Sequence, residues 1–90
     1  MCTMIVEKVK IDGSGKGNQG WFALQQASVS YDHPFHAPYE HALNIDFVND
    51  SQGPSARVAV ELSESAAREL VRTILSVLDQ AQADGHIKGA

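Results

Sequence analysis

Apolar and polar residues roughly alternate from Met4 to Ile11, with Ile5, Val9 and Ile11 on one side and Val6, Lys8 and Lys10 on the other. A period of two sends successive side chains to opposite faces, so the segment is expected to be a half-buried strand. Asp12 to Gly20 carries glycines at 13, 15, 17 and 20, which favours a turn. Gly20 to Tyr31 alternates again, with Trp21, Ala23, Ala27, Val29 and Tyr31 on one side, and is expected to close a first hairpin. Pro34 and Pro38 remove backbone donors and fix φ, so Asp32 to Glu40 reads as a stiff loop. A third strand follows at Ala42 to Val48, then a polar turn over Asn49 to Ser55, then a fourth strand at Arg57 to Leu62.

The period then changes. Ser63 can cap a helix, Glu64 suits its first turn, and Ala67, Leu70, Val71, Ile74, Val77, Leu78 and Ala81 recur at helical spacing until about Ala83, with Gly85 as a stop. The expected fold is α+β: a four-stranded antiparallel meander followed by one C-terminal helix packed on the sheet, ββββα. Residues 1–85 form one domain in this reading, and 86–90 a flexible tail. One helix cannot cover both faces of four strands, and Trp21, Phe22, Leu24 and Phe47 divide between faces, so a homodimer formed on the uncovered face or on a sheet edge is expected.

Charge and composition narrow the function. A formal net charge of -4, with seven Lys and Arg dispersed from Lys8 to Lys88, provides no basic stripe for a phosphate backbone or an anionic membrane. The N-terminus lacks a basic segment followed by an apolar stretch, and no apolar run approaches the ~20 residues of a membrane helix. A cytoplasmic protein is expected, in keeping with the single cysteine, Cys2, which has no partner for an internal disulfide.

The candidate chemistry lies in one run, Tyr31-Asp32-His33-Pro34-Phe35-His36-Ala37-Pro38-Tyr39-Glu40-His41, which holds three of the four histidines. A first hairpin turning near Lys16 would set Cys2 opposite about Ser30, and the second would set Tyr31 opposite about His41. Cys2, His33, His36 and His41 would then converge at one end of the sheet as ligands for one transition-metal ion per subunit, zinc foremost, with iron, copper or nickel as alternatives. With Cys2 as a fourth ligand the site would be closed and structural; with water in its place it would be open and able to support a metalloenzyme. Asp32 and Glu40 are the candidate catalytic carboxylates, or acceptors that orient the imidazoles, and Glu7 would face the same site.

Each of these residues has a plainer reading. Loop histidines are commonly solvated, and a small free cysteine is often an inert packing group. A metal-free alternative makes Cys2 a nucleophile with a histidine base, and a second makes the chain an interaction or dimerisation module. Tyr31, Phe35 and Tyr39 would line a small-molecule site or cap the core. Asp12-Gly13-Ser14-Gly15-Lys16-Gly17 departs from the phosphate-loop pattern, because Gly17 stands where Ser or Thr is needed and a strand follows where a helix is needed.

The opening Met1-Cys2-Thr3-Met4-Ile5-Val6-Glu7-Lys8, the segment from Tyr31 to Pro38, and Glu40-His41-Ala42-Leu43-Asn44-Ile45-Asp46-Phe47 resemble a small bacterial family of unknown function, over nearly the whole chain. The resemblance implies a cytoplasmic bacterial protein and brings no activity or site residue with it.

Overall fold

The computed structural model describes residues 5–87. Six strands and one long helix run in the order β1 (Ile5–Lys10), β2 (Ser14–Gly17), β3 (Gly20–Ala23), β4 (Gln26–Asp32), β5 (Ala42–Val48), β6 (Arg57–Leu62) and α1 (Glu64–Ala83), with a short 3-10 turn at Asp50–Gln52. The fold is α+β as expected, but the strands form two sheets. β1-β4-β5-β6 make an antiparallel four-stranded sheet, and β2-β3 a separate two-stranded one.

The segment expected to be one strand from Gly20 to Tyr31 therefore breaks at Leu24-Gln25. β3 pairs back onto β2 within the glycine segment, and only β4 pairs with β1. The glycines have a packing role: a Cβ at Gly17 would lie 3.3 Å from the Phe22 ring and 3.2 Å from the Ser55 carbonyl oxygen. Their missing side chains let Phe22 settle against the ribbon, and Phe22 rather than Trp21 is the buried aromatic. Asn49 holds this corner to the main sheet. It is itself buried, its Nδ2 donates to the Ala23 carbonyl at 2.8 Å, and its Oδ1 accepts from the Ser51 amide and hydroxyl.

The pairing divides the main sheet into two unlike faces. Tyr31 lies opposite Ile5 and Leu43, Val29 opposite Glu7 and Ile45, and Leu43 and Ile45 opposite Leu62 and Val60, so one face is almost wholly apolar. The other carries Lys8, Ser28, Asp46 and Ala59 in one row and Val6, Ser30, Asn44 and Glu61 in the next. On that polar face Arg57 bridges to Asp46 at 2.7 Å.

α1 starts where the sequence places it, with the Ser63 hydroxyl accepting from the Ala66 amide at 3.1 Å. It ends in a paired C-terminal cap: the His86 amide donates to the Ala81 carbonyl and the Gly85 amide to that of Gln82, with Gly85 at a φ of 84°. The expectation that this helix packs on the sheet needs correction. α1 meets the sheet chiefly at β5, has no buried residue, and leaves an open apolar groove of about 620 Å³ between Leu70, Val71 and Ile74 and the strands. The radius of gyration is 15.1 Å, against about 12 Å for a compact chain of this length.

Candidate functional site

The loop between β4 and β5 needs acceptors for its free amides, because its prolines leave Phe35, His36 and Ala37 as three consecutive donors outside any ladder. Glu61 on β6 supplies them. Its Oε2 accepts from the Phe35 amide at 2.6 Å, its Oε1 from the Ala37 amide at 2.8 Å, and both oxygens lie within 3.2 Å of the His36 nitrogen. The Ala37 amide foremost, opposed next by desolvation and then helped by the Phe35 and His36 amides and the nearby His36 imidazole, holds the Glu61 carboxyl below the ordinary carboxylate range. The sequence reading passed over Glu61 as one residue of a strand. The available signal was a run of donors between two prolines with no acceptor of its own.

The loop's histidines separate into two groups. His33 stacks on His41 with ring centroids 4.7 Å apart, and His41 stacks in turn on Tyr31 at 5.8 Å. His33 Nδ1 lies 2.9 Å from the Glu40 carbonyl oxygen, which can only accept, so this nitrogen donates and fixes the orientation of the ring. His41 Nε2 is buried without a partner. His36 belongs instead with Glu61. Of the two carboxylates singled out in the loop, Asp32 accepts from the His33 amide at 2.7 Å, while Glu40 contributes its backbone carbonyl to the stack. Cys2 lies outside the described residues, and with it the Cys-His dyad and the closed four-ligand site.

This arrangement overturns the metal-binding function. Among the described residues no group of three or more His, Cys, Asp or Glu side chains is placed to hold a metal ion. Two stacked rings present their nitrogens along separate, nearly parallel planes, the rings lying 25° apart, whereas a tetrahedral ion needs lone pairs aimed at one point. The registers explain part of the difference. Tyr31 pairs with Leu43, two residues beyond the expected His41, whereas Ser30 pairs with Val6, four residues from the expected Cys2. Glu7 is also turned elsewhere: it is exposed on β1, opposite Val29 on the apolar face.

The remaining candidates are surfaces. Tyr31 borders the apolar groove, Phe35 is 99% exposed at the loop tip, and Tyr39 is exposed beside it. One such surface is the apolar face of the sheet continuing onto α1, where Ile5 is 69%, Val71 57%, Leu75 55% and Val77 59% exposed. Among the described residues no helix is long and apolar enough to cross a membrane.

The chain belongs to a family described as a family of unknown function (DUF6295), whose model matches residues 1–87. No curated protein and no solved structure matches it.

Proposed function

We propose that this chain is a self-associating module whose working form is a homodimer, joined through the apolar face of the sheet and the stripe of α1, with one proline-stiffened histidine loop displayed at the end of each sheet. One observation carries the reading. Large apolar side chains along β1 and α1 stay about half exposed or more, while no large side chain of the described residues is fully buried. Apolar burial supplies the main driving force for folding, at about 25 cal/mol per Å², so a protomer that withholds its best apolar surface from burial lacks most of its expected stabilisation.

Surface area supports the same conclusion. The chain exposes 6927 Å² for a mass of 9.7 kDa, whereas a folded monomer of that mass exposes about 5,100 Å². The excess, roughly 1,800 Å² per copy, is more than the ~800 Å² that each partner contributes to a standard specific interface.

Equilibrium unfolding tests the proposal. A dimer that unfolds to two chains gains about 2.7 kcal/mol for each hundredfold rise in concentration, so its urea midpoint rises by roughly 1 M. A midpoint that does not depend on concentration contradicts the proposal.

A further inference from the structure

Resting on that self-associating reading, we infer that the two copies stack as sheet, helix, helix, sheet, with both α1 helices inside and the polar sheet faces outside. The helix is apolar over more of its circumference than its own sheet can use. Taking 100° per residue from Leu70, Ile74 lies at 40°, Leu78 at 80° and Val71 at 100°, while Ala66 and Leu75 fall near -40° and 140°. Between Ala66 and Ala81 the apolar arc is thus about 180° wide, with Glu64 and Gln82 falling inside it only in the terminal turns, against the ~100° stripe that suits a helix lying on a single surface. Leu70, Val71 and Ile74 line the groove over their own sheet and are themselves about half exposed, and Leu75 and Val77, near the two margins of the arc, are exposed to a similar degree. A helix between two apolar surfaces has this distribution.

The sheet agrees with the helix. Its polar face carries Lys8, Ser28, Asp46 and Arg57, as an outer surface would, and its apolar face stays open toward β1, where Ile5 and Val9 are exposed. Glu7 shares that apolar face but sits on the edge strand, where it can remain at the wet rim. Joining through the free β1 edge is the competing arrangement, and the sequence of β1 opposes it. A two-fold axis perpendicular to the sheet allows two five-residue antiparallel registers, one placing Glu7 against Glu7 of the second copy and the other Lys8 against Lys8. Like charges directly opposite are destabilising, and charges on an edge strand are a common guard against such pairing. The apolar stripe from Ala67 to Ala81 has its midpoint at Ile74, so the two helices cross near that residue.

Pulsed dipolar spectroscopy on full-length protein, with Cys2→Ser as background and a nitroxide at one introduced cysteine, tests this geometry. Packed helices lie 8–10 Å apart and are 10–12 Å wide, so Thr73→Cys labels should fall within about 20 Å of each other. Layers spaced by about 10 Å put Lys8→Cys labels on the two outer faces about 30 Å apart or more. A short Lys8 distance with a long Thr73 distance overturns the stacked arrangement while leaving self-association standing. The absence of any intermolecular coupling at either site overturns both.

Discussion

Replacing Leu75 with aspartate separates a helix that ends in water from one that ends in an interface. Leu75 is 55% exposed in the protomer and stands at the margin of the apolar arc. Full burial of a leucine is worth about 1.5–3 kcal/mol, so roughly 1 kcal/mol or more of that burial becomes available to each copy only on association. The aspartate forfeits this and adds the cost of drying a carboxylate, which brings the loss to at least about 2 kcal/mol per copy. Both copies carry the change, so the dimer weakens by about 4 kcal/mol or more, close to a thousandfold in dissociation constant. Size-exclusion chromatography with light scattering over a dilution series should show Leu75→Asp at half the wild-type mass where wild type is still paired. Ser76→Asp adds the same charge one residue along, on the polar side of the helix, and should stay within about 0.5 kcal/mol of wild type. If Leu75→Asp keeps the wild-type mass and melting temperature, the helix does not lie in an interface.

Three further outcomes follow from the same geometry. Glu61 is held ionised by three backbone donors, and a carboxyl whose folded pKa is depressed contributes stability that is present above its unfolded pKa and lost as pH falls through the folded one. The Phe35 and Ala37 amide resonances should therefore shift with a midpoint below the ordinary glutamate range, and Glu61→Ala should abolish that titration and speed hydrogen exchange at 35–37; wild-type exchange in the variant would refute the anchoring role. Gly17→Ala would put a Cβ 3.2 Å from the Ser55 carbonyl oxygen and 3.4 Å from that of Arg57, both backbone atoms, and should cost about 1–3 kcal/mol, lowering the melting temperature by at least about 4 °C. A chelator should leave the melting temperature within about 2 °C of wild type, since no described side chains converge on an ion; a large drop with chelator would contradict this.

Much of the main sheet was legible because its strands obey a period of two and its breaks carry Gly, Pro or Asn. β5 and β6 fall on the expected residues, and the Ser63 cap and Gly85 stop delimit α1. The two-stranded sheet was not legible, because Ser14–Gly17 has almost no side chains with which to show an alternation. The corner at Leu24-Gln25 is marked by neither Gly nor Pro, so one alternating run was read where two strands lie.

The candidate site was legible only as a cluster in sequence. Three histidines within nine residues do reach one end of the sheet, but nearness along a chain does not fix the direction of a ring. The Glu40 carbonyl and the His33-His41 stack decide that direction, and neither has a sequence signature. Glu61, 24 residues beyond Ala37, depends on a register that places β6 beside the loop. The helix is legible from the spacing of its stripe, which includes Val77, whereas Leu75, one residue beyond Ile74 and outside that stripe, is what widens the apolar arc.

Sedimentation equilibrium of the untagged chain, run from low to high micromolar concentration, tests self-association most directly. The account predicts a species of about twice the 9.7 kDa chain mass that dissociates only on dilution or on introduction of Leu75→Asp. A single folded species of the chain mass throughout that range would contradict it.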